Sequence, residues 1–175
     1  NVDYEAIPGQ AKQIRGTAKQ LNAEMTKAYN SVQEMHNSWY GNRYNELVKA
    51  FNEMIPQLND MLTLVVTEIP FALETIANNY SQADRGANVT AASNEAPNKI
   101  ANIPVSNDVG MRFITSEVAS TQSQVSTNFN TARDQMNKIE SIYGTISWSS
   151  EAADAFRTKF TKLKSNIVSS FENID

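Results

Sequence analysis

Residues 7–39 read IPGQAKQIRGTAKQLNAEMTKAYNSVQEMHNSW, and apolar side chains recur in them in alternating steps of four and three. This heptad spacing places the apolar side chains along one narrow stripe of a helix. Such a helix would extend about 50 Å at ~1.5 Å per residue, and it could not bury the stripe by itself. The pattern therefore predicts a long helix that packs lengthwise against a partner. The stripe comprises Ile7, Ala11, Ile14, Ala18, Leu21, Met25, Ala28, Val32, Met35 and Trp39.

The sequence Ser38-Trp39-Tyr40-Gly41-Asn42 predicts a reversal of the chain, because glycine and asparagine end one helix and cap the next. A second heptad stripe follows the reversal. It contains Pro56 and Pro70, each of which removes a helical hydrogen bond, so we expect bends rather than strands at both positions. The second stripe comprises Tyr44, Leu47, Phe51, Met54, Leu58, Met61, Val65, Ile69, Leu73, Ile76 and Tyr80.

Residues 86–107 are rich in glycine, asparagine and alanine and contain two prolines, which is the composition of a connector. No apolar stripe is evident in them. Heptad spacing then returns in two further segments that flank a turn around Trp148. The third stripe comprises Met111, Val118, Val125, Phe129, Ala132, Met136, Ile139, Tyr143 and Ile146, and the fourth comprises Ala153, Phe156, Phe160, Leu163, Ile167 and Ile174.

The two halves of the chain share one plan, in which a tryptophan-containing turn joins two helices. This internal repeat predicts an all-α fold of two helical hairpins that form a four-helix, coiled-coil-like bundle. We expect a hairpin at residues 1–85, a linker at 86–107 and a second, degenerate and possibly truncated hairpin at 108–175. A linker of about 22 residues can span the ~50 Å between the hairpins if they lie antiparallel.

The composition excludes several classes of site. The 175 residues carry a net charge of −4, include no cysteine and have one histidine, His36. Disulfides, thiol nucleophiles and zinc ribbons cannot be built from these residues, and a mildly acidic chain offers no broad field for nucleic acid. No catalytic motif is evident. We therefore expect a protein that is not an enzyme and that has no metal, cofactor, nucleic acid or small-molecule substrate.

Two short motifs stand at the ends of the second helix. Trp39-Tyr40-Gly41 precedes it, and Tyr80-Ser81-Gln82-Ala83-Asp84 closes it. On a hairpin scaffold this combination resembles the WxG-motif family of early secretory antigenic target-like proteins, which are small helical substrates of bacterial type VII secretion. The resemblance covers residues 1–85. It is partial in the second half, where Trp148-Ser149-Ser150 replaces the glycine with serine and no YxxxD follows at the equivalent distance.

The resemblance implies a secreted protein in which two family-like hairpins are joined in one chain. It implies export through a composite surface, formed by a WxG turn beside the YxxxD of its partner, and recognition by a membrane-embedded, FtsK/SpoIIIE-like type VII secretion ATPase. Antiparallel packing would bring Tyr80 and Asp84 close to the Trp148 turn. The residues implied in export or partner recognition are Trp39, Gly41, Tyr80, Asp84 and Trp148. A homodimer or a WXG-family partner is also expected, and the first residues show no cleavable signal peptide.

Three other interpretations stay open from the residues alone. Both tryptophans and Tyr80 can be core side chains, with Asp84 solvated at a helix end. The apolar segment 61–73 can belong to a helical toxin that inserts into membranes, although it contains Glu68 and is short for a span. The chain can also be the targeting head of a larger secreted effector.

Overall fold

The computed structural model describes residues 5–85, 92, 94–105, 110–146 and 151–174, without the side chains of 81–85. These residues form mainly helices, and two-residue strands β1 (Trp39–Tyr40) and β2 (Arg112–Phe113) pair antiparallel. The predicted all-α helical bundle is confirmed. The helical elements are α1 (Ile7–Met35), α2 (Asn42–Leu62), a π-helical segment (Thr63–Glu68), α3 (Ile69–Arg85), α4 (Thr115–Gly144) and α5 (Glu151–Ile174).

Helix α1 packs most extensively against α4, and the two run antiparallel. Gln10 Nε2 donates to Thr145 Oγ1 at 3.3 Å near one end of this pair. Ser38 Oγ donates to Glu117 at 2.7 Å near the other end. The turn between α1 and α2 and the C-terminal end of α4 therefore lie at opposite ends of the bundle, which is the arrangement that the length of the connector favours.

Three stacked phenylalanine rings join the helices at the centre of the core. The Phe129 ring of α4 lies 4.3 Å from the Phe171 ring of α5 and 6.4 Å from the Phe51 ring of α2, measured between ring centroids. All three side chains are almost completely buried. This stack fixes the two hairpins against each other in one register, because aromatic rings of this size tolerate little axial sliding.

The predicted stripe of α1 is confirmed, since each of its nine residues from Ile7 to Met35 is at most 2% exposed. Elsewhere the stripes are confirmed less fully, since Leu47, Tyr80 and Phe156 are half-buried, and Met111 and Ile76 also depart from them. Met111 was expected to begin the third stripe, but it is 82% exposed, because α4 begins only at Thr115. In α3 the buried residue is Ala77 rather than Ile76, which is half-buried.

This shift of the stripe follows the π-helical segment, which takes in one more residue per turn than an α-helix. The Ile69 N–H bonds back five residues to the Leu64 carbonyl. Neither proline converts the helix to a strand, as expected, and Pro56 lies inside an uninterrupted α2. Around Pro70 the distortion takes the form of a π turn. The three apolar side chains of the π-helical segment, Leu64, Val65 and Val66, are buried.

Arg15 of α1 replaces the hydrogen bond that Pro70 removes. Proline has no N–H, so the Val66 carbonyl four residues earlier lacks its α-helical donor. The Arg15 Nε donates to that carbonyl at 3.2 Å, and its two terminal nitrogens donate to the Glu74 carboxylate at 2.9 and 3.2 Å. This bidentate, partly buried arginine joins α1 to the π-helical segment and to α3.

Part of the connector also packs on the bundle. Residues 94–105 lie against α1 and α2, where Ile103 is 2% exposed and Ile100 contacts the core. The sequence shows no apolar stripe in the connector, so the burial of Ile103 was not predicted. A single pair of isoleucines is too short a pattern to indicate a buried face.

We predict that Arg15→Ala lowers the free energy of unfolding by about 2 to 3 kcal/mol, because the Val66 carbonyl and Glu74 lose a shared charged donor. Urea denaturation measures this change. Lys27→Ala is the control: Lys27 is 67% exposed in its pair with Glu24, so the loss should stay below about 0.5 kcal/mol. Equal losses in the two variants would contradict the role given to Arg15.

Candidate functional site

The turn between α1 and α2 is tied to the second hairpin by a short β ladder. Trp39 pairs with Phe113 and Tyr40 pairs with Arg112. The Trp39 ring is half-buried, and it meets the rings of Tyr44 and Phe113 edge-on, each at 5.7 Å between centroids. The indole therefore links the start of α2 to the segment that leads into α4.

Gly41 sits at the N-cap of α2 with φ 129° and ψ −172°, a region that side-chain-bearing residues rarely adopt. A Cβ on Gly41 would lie 3.4 Å from Met111 Cγ, an ordinary van der Waals contact. The backbone conformation, rather than a lack of space, is therefore the reason for a glycine at the third position of the WxG motif.

Tyr44 forms the buried floor of this turn. Its hydroxyl donates to the Val32 carbonyl at 3.0 Å, and its ring lies 5.4 Å from the ring of His36. Burial raises the pKa of the Tyr44 phenol to about 12. The sequence placed Tyr44 only on an apolar stripe and gave no signal for Phe113, because the pairing of Phe113 with Trp39 joins residues far apart in the chain.

Tyr80 lies at the other end of the bundle, half-buried near the C-terminal end of α3. Asp84 belongs to the same helix one turn later, where side chains fall outside the described residues, and Trp148 lies outside them altogether. The structure therefore brings Trp39 and Gly41 together and separates both from Tyr80 by the length of α2 and α3. It does not describe the distance from Tyr80 or Asp84 to Trp148.

The described residues do place the end of α3 and the end of α4 at the same end of the bundle. The bond from Gln10 to Thr145 sets the end of α4 beside the start of α1, and the ion pair of Arg15 and Glu74 sets α3 beside the same part of α1. The Tyr143 hydroxyl donates a hydrogen bond to the Ala153 carbonyl and so joins the end of α4 to the start of α5.

Aromatic rings and main-chain hydrogen bonds hold the described parts of both ends together. Among the described residues, no three histidine, aspartate or glutamate side chains are grouped so that they could hold a metal ion. The Arg157 guanidinium lies over the Tyr143 ring, 5.4 Å from its centroid, and adds a cation–π contact to the second turn.

We predict that Gly41→Ala lowers the free energy of unfolding by about 1 to 3 kcal/mol because alanine is strained at this φ. Gly16→Ala is the matched control, since a Cβ at that exposed position inside α1 meets no atom within 4 Å. It should raise stability by about 0.5 to 1 kcal/mol. Thermal melts of the two variants should move in opposite directions, and a rise in melting temperature for Gly41→Ala would contradict the account.

We also predict that Tyr44 makes the fold sensitive to alkali. A phenol whose pKa is about 10 when unfolded and about 12 when folded contributes its full stability below pH 10, and that contribution is lost as the pH rises to 12. The loss should be about 2 to 3 kcal/mol. Urea denaturation at pH 9 and pH 12 should show a drop smaller by that amount in Tyr44→Phe than in the wild type. Equal drops would exclude this role for burial of the phenol.

Comparison with known proteins finds a family that the first hairpin resembles. Residues 1–85 match the model of the WXG100 family, described as proteins of 100 residues with WXG. Neither a curated protein nor a solved structure matches the chain significantly. The family is linked to type VII secretion substrates, and its members are secreted helical proteins. With its WxG turn and its helical hairpin, the segment 1–85 is similar to the WXG100 family and is consistent with a WXG-motif protein.

Proposed function

We propose that this chain is a non-enzymatic, secreted substrate of bacterial type VII secretion, in which two hairpins of one polypeptide replace a pair of separate WXG-family chains. The observation that carries the proposal is the family match over residues 1–85. The positive φ of Gly41 supports it, because this backbone conformation requires a glycine at the third position of the motif. Members of the family pair with family partners.

The contacts between the two hairpins support pairing within the chain. Helix α4 covers the stripe of α1 along its length, and α5 packs on α2. The Trp39 ring, which belongs to the first hairpin, packs on Phe113 of the second. We infer that Trp39 and Gly41 act mainly in this pairing. The alternative is that Trp39 and Gly41 act in a homodimer or in a complex with a further family partner.

We propose that the export signal lies at the opposite end, where Tyr80 and Asp84 share a helix face with one turn between them. The C-terminal end of α4 lies at that end too, which supports a composite surface that would include Trp148 of the second hairpin. An aromatic anchor next to a carboxylate suits an apolar pocket with a basic rim on the secretion ATPase.

The two alternative functions gain no specific support. The apolar residues of segment 61–73 are buried, apart from Phe71 and Ala72, which are partly exposed. No helix in the described part of the chain is long and apolar enough to cross a membrane. A role as the targeting head of a larger effector stays a prediction, and it is compatible with the same export signal.

We predict that Tyr80→Ala and Asp84→Ala each reduce export severalfold or more from a cell with an active type VII system, because each removes half of the signal. Immunoblots of medium and cells measure the secreted fraction, with a strain that lacks the ATPase as the baseline. Asp60→Ala, an exposed carboxylate on α2, is the matched control and should be exported normally.

Trp148→Ala tests whether the surface is composite. It should reduce export without loss of helicity. Trp39→Ala, in contrast, should mainly lower the free energy of unfolding. Export at the wild-type level for both Tyr80→Ala and Asp84→Ala would refute the proposed signal. Export that is independent of the ATPase would refute the proposed secretion route.

A further inference from the structure

The part of the connector at residues 94–105, which we name the strap, lies in a groove between α1 and α2. Its burial repeats every three residues: Pro97 and Ile100 are half-buried and Ile103 is buried, while the residues between them are exposed. A period of three is that of the polyproline II helix, an extended conformation without internal hydrogen bonds. The strap therefore depends on the groove for its backbone hydrogen bonds.

Two asparagines of α2 supply those bonds. Asn59 Nδ2 donates to the Ile100 carbonyl at 2.9 Å, and its Oδ1 accepts from the Ile100 N–H at 2.8 Å. Asn52 makes the same pair of bonds with Ile103, at 2.9 and 2.7 Å. Each amide binds both polar groups of one backbone unit. This recognition does not depend on the side chain of the residue that is bound.

The spacing of the asparagines matches the period of the strap. Asn52 and Asn59 are one heptad apart, about 10.5 Å along an α-helix, and three residues of polyproline II extend about 9.3 Å. Helix α1 provides a second set of contacts with the same heptad spacing. Asn22 Nδ2 donates to the Asn98 carbonyl at 2.9 Å, and the Tyr29 hydroxyl donates to the Asn102 carbonyl at 3.2 Å.

The strap does not fill its groove. An open cavity of about 730 Å³ remains beside it, between α1 and the strap. Its lining includes Asn22, Thr26 and Tyr29 of α1 and Pro97, Asn98 and Ala101 of the strap. A segment with the same backbone path and larger side chains would make more contacts there than the strap does.

We propose that the groove between α1 and α2 is a binding site for extended polypeptide segments with an apolar side chain at every third residue, and that the strap occupies it as a ligand within the same chain. The partner is a polyproline II-like segment of another polypeptide, held by the asparagine amides and anchored by two apolar side chains. The strap then limits access to the site, since a partner binds only to the fraction of molecules whose strap has left.

The test uses a fluorescein-labelled peptide, NEAPNKIANIPV, which is the sequence of residues 94–105, and the full chain with Ile100→Asp and Ile103→Asp. Without its own anchors, this variant should bind the peptide about tenfold more tightly, or more, than the wild type does by fluorescence anisotropy. Asn94→Asp with Val105→Asp is the matched control, since both positions are exposed and outside the cavity, and it should bind like the wild type.

Adding Asn52→Ala and Asn59→Ala to the anchor variant should abolish binding. Binding that survives the loss of both amides, or no binding by an anchor variant whose circular dichroism is that of the wild type, would overturn the proposal. A second measurement needs no variant. Excess peptide should speed hydrogen exchange at the Ile100 and Ile103 amides of the wild-type chain, and unchanged exchange at millimolar peptide would also overturn it.

Discussion

The apolar stripe of α1 must be covered along its whole length, and the rest of the bundle follows from what covers it. A helix of 29 residues with one narrow apolar face gains most of its stability from packing on neighbours. Its own hairpin partner covers one side, and α4 covers the other in the antiparallel direction. That direction places the two turns at opposite ends and leaves a connector that must travel the length of the bundle. The connector does so in contact with the first hairpin, where Ile103 is buried.

Both ends of this arrangement depend on contacts that cross between the hairpins. At one end the WxG turn is held by the β ladder and by the Trp39 and Phe113 rings. At the other end Gln10 reaches Thr145 of the second hairpin. WXG100 family proteins pair with family partners, whereas here two hairpins of one chain pack on each other. Trp39 and Gly41 of the WxG turn have a structural role in that packing.

The parts of the fold that sequence reasoning found are those encoded locally. The heptad stripe of α1, the reversal at Gly41 and the family motif are all visible in short windows. Contacts that join distant residues were missed. No pattern near Phe113 indicates that its ring contacts Trp39. Ile100 and Ile103 lie in a segment without a heptad stripe, so a search for such stripes does not find them. The shift from Ile76 to Ala77 depends on a π turn, which Pro70 suggests and Arg15 completes from another helix. For the candidate site, the sequence identified the WxG turn, while the place of Trp148 beside Tyr80 stays a prediction.

The central claim is that the two hairpins lie antiparallel within one chain, and distances between spin labels test it most directly. The chain has no cysteine, so pairs can be introduced without removing any. Labels at Gln10→Cys and Thr145→Cys should be close together in the monomer, while labels at Gln10→Cys and Met111→Cys should be about 45 Å apart, the length of α1. The reverse order of distances, or a short distance that appears only between chains, would contradict the account.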